Sequence, residues 1–258
     1  MASIVVSVVI PAFDEANRLA PTVLAAVEFL QARGDPFEIL VVDDGSRDKT
    51  STLVRQLAKA APEVRLIRLA ANQGKGFAVR TGIVNSQGAL VLFTDADGAT
   101  PIGELVRLEA ALAAGADVAI GSRAIHSAET HVRARWYRRV IGRIFRTLVA
   151  LLTVRDIQDT QCGFKLFRGP VAHDLFSRMR MNGFSFDVEV LLMAQRQGYR
   201  IVELPVNWTH QAGSKISLIR DSLRMARDLF IIRAKALRGE YDAPHVALPG
   251  EESASSAP

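Results

Sequence analysis

Short apolar runs alternate with helical patterns over the first 121 residues of the chain. The apolar runs have the length and β-branched content of buried strands, whereas the segments between them repeat apolar residues every three or four positions. The predicted strands are Ile4–Ile10, Phe37–Val42, Val64–Leu69, Ala89–Thr94 and Asp117–Gly121, and the predicted helices are Ala16–Ala32, Lys49–Ala60, about Gly76–Ser86 and Ile102–Ala113. This alternation predicts an α/β fold in which helices cover both faces of a mostly parallel sheet.

Two longer segments after Gly121 combine an apolar helical face with arginines. They cover Arg133–Val154 and about Ile216–Leu237. Such a helix can lie in the headgroup region of an anionic bilayer, or its apolar face can pack on the domain or on a second subunit. For the second segment we expect partial packing, because its apolar surface exceeds what one membrane contact needs. We predict one domain over residues 1–239 and a disordered Ser-, Ala-, Pro- and Glu-rich tail over residues 240–258.

The net charge of +5 indicates an anionic partner: nucleic acid, a membrane surface or a phosphorylated ligand. Nucleic acid is disfavoured because the basic segments offer few aromatic side chains for base stacking.

Cys162 is the single cysteine, so no intramolecular disulfide can form. The N-terminus lacks the pattern of a signal peptide, and no apolar run is long enough to span a bilayer. We therefore expect a cytoplasmic protein, peripheral on the inner face of a membrane.

Two carboxylates follow the fourth predicted strand, in the segment Asp95-Ala96-Asp97-Gly98. In an open α/β sheet this is the edge at which ligands bind. Neighbouring carboxylates repel each other unless a cation lies between them, and Mg²⁺ or Mn²⁺ bound there would also hold a diphosphate. The alternative interpretation is a loop whose Asp residues cap the next helix.

Three further polar loops follow the first three strands, at 11–15, 43–46 and 72–76. Each could serve only its own turn: Asp43 and Asp44 could close a loop, and the glycines could allow a tight bend. Together with the Asp95–Asp97 pair, however, they offer partners for the base, the ribose and the diphosphate of a nucleotide-sugar. The G-x-G-x-x-G fingerprint and the Walker A loop are both absent, which excludes the NAD and P-loop interpretations.

The motifs resemble those of inverting family 2 glycosyltransferases with a GT-A fold. The segments Val41–Ser46 and Asp95–Asp97 carry the general resemblance. More specific segments are similar to those of dolichyl-phosphate β-glucosyltransferases, which move glucose from UDP-glucose to a polyprenyl phosphate; they are Gly74–Gly76, Asp95–Thr100, Asp159–Lys165, Phe186–Glu189, Val206–Trp208 and Gly213–Lys215. Related mannosyltransferases carry a Gln metal ligand where this chain has Ala99, which disfavours mannose and leaves the metal one protein ligand fewer.

The resemblance implies a role for each matching residue. Asp95 and Asp97 would bind Mg²⁺ or Mn²⁺, and Arg123 would bind the acceptor phosphate together with Arg138, Arg139 or Arg143. The expected catalytic residues are Asp95, Asp97, Arg123 and Asp187. The expected nucleotide-sugar site consists of Pro11, Phe13, Glu15, Asp43, Asp44, Lys75, Asp95, Ala96 and Asp97.

A phosphate acceptor changes what the remaining carboxylates must do. A phosphate monoester is largely ionised at neutral pH, so its oxygen can attack without a general base. Asp187 and Glu189 would then orient the sugar or an arginine, or simply favour a helix N-terminus. Cys162 is expected to be a packed side chain and His210 a structural one. The alternatives left open are another nucleotide-sugar such as GDP-mannose, a soluble acceptor, and a catalytically silent membrane-associated scaffold; the oligomeric state is also open.

Overall fold

The computed structural model describes residues 3–125, 127, 132–133, 149, 152–211 and 218–242. The strands in this part of the chain are β1 (Val6–Ala12), β2 (Phe37–Asp43), β3 (Val64–Arg68), β4 (Leu90–Thr94), β5 (Val118–Ser122), β6 (Val132–Arg133), β7 (Phe164–Arg168), β8 (Ile201–Pro205) and β9 (Trp208–Thr209). The helices are α1 (Leu19–Arg33), α2 (Thr50–Ala60), α3 (Lys75–Val84), α4 (Leu105–Ala113), α5 (Gly169–Arg178), α6 (Phe186–Arg196) and α7 (Leu218–Leu237), and a 3₁₀ turn (Ile102–Glu104) precedes α4.

Seven strands form one mixed sheet with the order β3-β2-β1-β4-β7-β5-β8. All neighbouring strands are parallel except β7, which is antiparallel to both β4 and β5. The amino end of β7 therefore lies at the same sheet edge as the carboxyl ends of β4 and β5. This brings the segment before β7, Asp159–Gly163, next to the loop that carries Asp95 and Asp97. The mostly parallel sheet is confirmed, and the antiparallel strand is an addition that the alternating pattern did not predict.

Side chains from alternate positions of the central strands enter two separate cores. Val8 and Ile10 of β1 pack with residues of α1, α2 and α4, whereas Val9 packs on the other face with residues of α3, α5, α6 and α7. Both faces of β1 are fully buried. This explains why its sequence is almost entirely apolar, as expected for a central parallel strand; the exception, Ser7, donates a hydrogen bond to Glu38 at 2.7 Å.

The predicted helix over about 216–237 corresponds to α7. Its buried residues Leu229, Ile232 and Ala236 belong to the core on the α3 face of the sheet, so partial packing is confirmed. Most of the other amphipathic segment, 133–154, lies outside the described residues, as do residues 243–258. Tyr241 falls in the predicted tail, yet it is buried and its hydroxyl donates a hydrogen bond to Glu189 at 2.7 Å. Within the described ranges, no helix combines the length and apolar character that crossing a bilayer would require.

The packing of α3 against β1 and β2 leaves no room for a side chain at Gly82. An added Cβ would overlap Val9 and would meet Val42 Cγ2 at 3.0 Å. We expect Gly82→Ala to lower the free energy of unfolding by roughly 1–2 kcal/mol, because overpacking outweighs the gain in helix propensity. Urea denaturation measures this change.

Gly103→Ala is the matched control, since a Cβ at Gly103 would meet no heavy atom within 4 Å. Its stability should stay within about 0.5 kcal/mol of the wild type. A Gly82→Ala protein as stable as the wild type would show that α3 can move away from the sheet.

Candidate functional site

A cavity of about 450 Å³ opens at the carboxyl edge of the central strands. It contains every residue of the expected nucleotide-sugar site except Asp43. The lining residues are Pro11, Ala12, Phe13, Glu15, Arg18, Asp44, Asn72, Gly74, Lys75, Ala78, Asp95, Ala96, Asp97, Gly183, Phe184, Arg224, Met225 and Asp228. The four polar loops therefore meet around one space, as their positions after parallel strands predicted.

Hydrogen bonds between the first two loops hold the β1 side of the cavity. The Asp14 backbone N–H donates to Ser46 Oγ and the Glu15 N–H donates to Thr50 Oγ1, both at 2.8 Å. Asp14 Oδ1 in turn accepts the Arg47 N–H at 2.7 Å. Asp14 has φ of 53°, a left-handed conformation that Asp adopts more readily than most residues. This bracing fixes the backbone positions from which Phe13 and Glu15 reach the cavity.

The adjacent residues Asp43 and Asp44 have different surroundings. Asp43 is fully buried and accepts hydrogen bonds from the Ser46 N–H at 2.8 Å and from the Ser51 hydroxyl. The structure thus leaves Asp43 beneath the cavity, where it closes the turn. Asp44 lines the cavity and accepts the backbone N–H groups of Gln73 at 2.7 Å and Gly74 at 2.9 Å. It therefore ties the loop before α3 to the loop after β2.

Asp95 and Asp97 concentrate negative charge in the centre of the cavity. Lys75 Nζ lies 2.7 Å from Asp95 Oδ1, and Asp97 Oδ1 accepts the Ala99 N–H at 3.1 Å. Burial and the charge of Asp95 raise the pKa of Asp97 above its ordinary value. The backbone of Gly163 packs directly on the Asp95 carboxylate, because a Cβ at Gly163 would overlap it. The charge of Asp95 thus acts on a partly buried Asp97, and a cation bound between them would relieve this repulsion.

The donor set suits a hard divalent ion that also binds a substrate phosphate. Mg²⁺ is usually held by one or two carboxylates, with water and phosphate oxygens completing its coordination. Asp95 and Asp97 supply two carboxylates, and the small apolar Ala99 supplies no ligand. In the described part of the chain, no group of three or more His, Cys, Asp or Glu side chains is placed to hold a metal. The residues therefore fit a metal shared with a diphosphate better than a closed all-protein site.

Arg18 is a cavity residue that the sequence motifs did not reveal. Its Nε and Nη2 atoms donate to the two carboxylate oxygens of Glu15 at 2.8 and 2.6 Å. The charges of Asp97 and Asp95 act on the same guanidinium. The sequence did contain one signal for this contact: Arg18 follows Glu15 by three residues at the start of a helix, a spacing that brings two side chains together. Arg18 and Lys75 therefore place positive charge beside the two carboxylates. A diphosphate bound together with a metal ion would use both, the cations for its own oxygens and the carboxylates for the metal.

Arg123, directly after β5, forms a partly buried fork with Asp159. Its Nε and Nη2 atoms each lie 2.7 Å from an Asp159 oxygen, and its backbone N–H donates to Asp159 at 2.9 Å. Burial opposes both charges, but each partner outweighs it, so the pKa of Arg123 is raised and the pKa of Asp159 is lowered. The guanidinium also lies over the Trp208 ring at 5.4 Å. Arg123 is thus held rigidly, and the charge of Asp95 also acts on it. Arg138, Arg139 and Arg143 lie outside the described residues.

Asp187 lies beneath the site in an ion pair rather than in the cavity. Lys165 Nζ is 2.5 Å from Asp187 Oδ1 and 2.5 Å from the Cys162 carbonyl oxygen, and both charged side chains are almost fully buried. Burial outweighs the attraction of Lys165 and raises the pKa of Asp187. Glu189 is fully buried and accepts the N–H groups of Arg180 and Met181 at 2.9 and 2.6 Å. Both carboxylates therefore organise the first turn of α6 and the loop before it.

Cys162 and His210 have the packing environments that the sequence analysis expected. Cys162 is fully buried, and burial raises the pKa of its thiol to about 12, so it does not form a thiolate near neutral pH. His210 stacks on Trp208 with a centroid distance of 6.2 Å. Neither residue lines the cavity.

The remaining wall of the cavity comes from parts of the chain that the sequence analysis did not assign to the site. Gly183 and Phe184 lie in the loop before α6, and Arg224, Met225 and Asp228 lie on α7. Phe184 and Phe93 face Lys75, with their ring centroids 5.9 and 5.3 Å from Nζ. A basic helix and a short loop therefore complete the space that the strand-end loops begin.

Comparison with known proteins connects this site to one family. The family described as Glycosyl transferase family 2 matches residues 7–176. Over 256 residues the chain is 38% identical to a dolichyl-phosphate beta-glucosyltransferase of Saccharomyces cerevisiae, covering 92% of this chain and 77% of the relative. The Homo sapiens protein of the same name is 38% identical over 248 residues, with coverage of 91% and 76%.

The fold is shared with solved glycosyltransferase structures. One is the crystal structure of glucosyl-3-phosphoglycerate synthase from Mycobacterium tuberculosis in complex with Mn²⁺, UDP and glucosyl-3-phosphoglycerate. The TM-score is 0.63 at 20% identity, covering 93% of this chain and 81% of that one. This likeness confirms the expected GT-A fold.

The buried Lys165–Asp187 pair gives a prediction about stability. Lys165→Met would leave the Asp187 carboxylate without its cation in an apolar setting, and we expect a loss of about 3–5 kcal/mol in the free energy of unfolding. The double variant Lys165→Met/Asp187→Leu should recover much of this loss, because replacing both ions removes the uncompensated charge. Urea denaturation of the wild type, Lys165→Met, Asp187→Leu and the double variant measures the coupling free energy between the two side chains.

The exposed Lys59→Met on α2 is the control and should leave stability nearly unchanged. If Lys165→Met lowered stability no more than this control, the buried Asp187 carboxylate would not need Lys165 as its counter-charge.

Proposed function

The chain belongs to glycosyl transferase family 2, and from this premise we propose that it transfers glucose from UDP-glucose to a polyprenyl phosphate with inversion. The product would be polyprenyl-phosphate β-glucose. The observation that carries the proposal is the meeting of Asp95, Asp97, Lys75 and Arg18 in one cavity, with the Arg123–Asp159 fork beside it. The similarity to dolichyl-phosphate beta-glucosyltransferases supports glucose and a lipid phosphate as the transferred group and the acceptor.

The cavity would bind the donor by its charged diphosphate and its nucleoside. Phe13 provides an apolar surface on which a base or ribose can pack, and Lys75 and Arg18 can neutralise phosphate oxygens. A Mycobacterium tuberculosis enzyme of the same fold contains UDP and Mn²⁺, which supports a uridine nucleotide and a divalent ion in this chain. Such an ion, held by Asp95 and Asp97, would offset the charge that develops on the departing UDP.

The reaction needs an anionic nucleophile placed in line with the leaving group. A phosphate oxygen of the acceptor attacks the anomeric carbon, the bond from that carbon to the UDP oxygen breaks, and UDP leaves with the bonding electron pair. The ionised phosphate needs no general base, in keeping with the burial of Asp187. The role left to the protein is to hold two anions close together while its cations reduce their repulsion. Arg123 would bind the acceptor phosphate, and Asp159 would position Arg123.

A lipid acceptor also implies a place at a membrane. We propose that the protein is peripheral on the cytoplasmic face of the bilayer that contains the polyprenyl phosphate. The alternatives are another nucleotide-sugar such as GDP-mannose, a soluble phosphorylated acceptor, and a silent scaffold. Each of them predicts a different result when donor and acceptor are varied separately.

Transfer of labelled glucose from UDP-glucose into an organic-extractable lipid tests the proposal. Purified protein with polyprenyl phosphate and Mg²⁺ or Mn²⁺ should label the lipid, and chelation should abolish the reaction. Asp97→Ala should lower kcat/KM by at least about 100-fold, because several kcal/mol of charge stabilisation would be lost. Asp35→Ala removes an exposed carboxylate near the start of β2, at the opposite sheet edge, and should retain activity.

Each negative result would select an alternative. Transfer only from another nucleotide-sugar would replace the donor, and transfer only to water-soluble phosphates would replace the acceptor. Failure of every donor to bind in the presence of metal would favour the scaffold.

The Arg123–Asp159 fork gives a prediction about the acceptor. Asp159→Asn would lose one charge-assisted hydrogen bond that orients the guanidinium, and we expect KM for the polyprenyl phosphate to rise roughly 10-fold. KM for UDP-glucose should change by less than about twofold, because Asp159 does not line the donor cavity. Initial rates with each substrate varied in turn separate the two effects, and urea denaturation reports any general loss of folding. An equal rise in both KM values would contradict a role in acceptor binding.

A further inference from the structure

The helix α7 has different surroundings on its two sides. On the inner side, Leu229, Ile232 and Ala236 are buried in the core. Near the same side, Arg224, Met225 and Asp228 form part of the cavity wall. The position of α7 therefore affects the shape of the proposed donor site.

The outer side of α7 exposes large apolar side chains. Phe230 is 62% exposed and Leu237 is 70% exposed. These residues are seven positions apart, so they lie on the same side of the helix, two turns from each other. We refer to Phe230 and Leu237 as the outer ridge. Exposed apolar groups arranged in this way indicate an interaction surface rather than scattered exposure.

Positive charge surrounds the outer ridge. Exposed Arg227 and Arg238 lie on one flank and exposed Arg233 lies on the other; beyond the helix end, Arg238 also pairs with exposed Glu240 at 3.8 Å. Among the α7 side chains that the structure describes, Arg224 to Leu237, the acidic one is Asp228, which is buried. An apolar ridge between cations matches a bilayer surface that contains anionic lipids, where the ridge enters the headgroup boundary and the arginines meet phosphates. A second copy of this face is a poorer partner, because it would bring like charges together.

One pair of polar contacts connects the outer surface with the cavity wall. Arg227 Nη2 lies 3.1 Å from Asp228 Oδ1, and Asp228 Oδ2 accepts the Ser185 hydroxyl at 3.0 Å. Ser185 follows Phe184, another residue of the cavity wall. Asp228 thus lies between an arginine that faces solvent and the loop that closes the cavity before α6.

We infer that the outer ridge and its arginines dock on an anionic bilayer, and that docking strengthens binding of the nucleotide donor. The same helix presents the ridge on one side and part of the cavity wall on the other, so fixing it at the bilayer limits its movement away from the donor. Two ligands that favour one position of an element strengthen each other, and the effect is reciprocal. The inference rests on the proposed function, since it takes the cavity to be the donor site.

Vesicle binding tests the docking surface. The full chain is mixed with phosphatidylcholine vesicles, with or without about one third phosphatidylglycerol, and bound protein is separated by flotation. We expect salt-sensitive binding to the anionic vesicles. Phe230→Ser/Leu237→Ser should weaken it at least about tenfold, because two exposed apolar anchors are lost.

The matched control is Leu24→Ser/Val106→Ser, which removes exposed apolar residues on α1 and α4 that are 52% and 55% exposed. The control should bind vesicles like the wild type. Equal binding by the ridge variant and the control would overturn the docking surface. A wild-type protein that is larger than the ridge variant in light scattering, with no vesicle binding, would instead assign the ridge to a second copy.

Donor affinity tests the linkage. The Kd of UDP-glucose with Mg²⁺ is measured by calorimetry with anionic vesicles that lack polyprenyl phosphate, and again without vesicles. We expect the wild-type Kd to fall about 5-fold or more with vesicles, a typical size for coupling between sites. The ridge variant should have the wild-type Kd without vesicles and should show little response to them. Vesicle binding that changed the Kd of neither UDP-glucose, UDP nor another nucleotide-sugar would overturn the linkage.

The same titrations separate this inference from the proposed reaction. If vesicles tightened binding of UDP or of another nucleotide-sugar but not UDP-glucose, the linkage would stand and the proposed donor would fail. If glucose transfer were confirmed while vesicles had no effect on donor affinity, only the linkage would fail.

Discussion

The placement of Asp95 and Asp97 side by side at the sheet edge is the constraint on which the site depends. Two carboxylates in a partly buried loop repel each other, and nearby cations reduce this repulsion. Lys75 contacts Asp95, and Arg18 contributes charge from the start of α1. Burial and Asp95 still raise the pKa of Asp97, so the compensation is incomplete. Negative charge thus remains incompletely compensated at the point where a metal–diphosphate would bind.

The antiparallel strand β7 completes this arrangement. Because β7 runs against its neighbours, the segment that enters it lies at the ligand-binding edge, where Gly163 packs on the Asp95 carboxylate. A few residues earlier, Asp159 holds Arg123 through the two hydrogen bonds of the fork. Lys165, one residue into the strand, places its ammonium group beneath the site against Asp187. A single reversal of strand direction therefore supplies the packing surface for Asp95, the proposed metal ligand, the partner of Arg123, the proposed phosphate-binding residue, and a buried ion pair.

The sequence predicted the features that depend on local pattern and strand order. Short, mainly apolar runs identified the parallel strands, and polar residues after them identified loops that share an edge. The direction of individual side chains was harder to predict from the sequence. Asp43 and Asp44 are neighbours in one motif, yet Asp43 closes a turn beneath the cavity and Asp44 lines it. Asp187 could likewise have been a base, a sugar contact or a helix-terminal charge, because its partner Lys165 is 22 residues away. The contributions of Arg18 and α7 depend on tertiary packing, and no local pattern reports which residues face a cavity formed by distant segments.

The hydrogen bond from Tyr241 to Glu189 shows that the folded unit extends at least to Tyr241. Glu189 also accepts the backbone N–H groups of Arg180 and Met181, which lead into the loop that carries Gly183 and Phe184. Ending a recombinant fragment at Gly239, where the sequence composition changes, would remove the phenol and leave one oxygen of a fully buried carboxylate without its donor. A fragment that preserves the cavity wall must therefore extend at least to Asp242, whose carboxylate also pairs with Arg196 of α6.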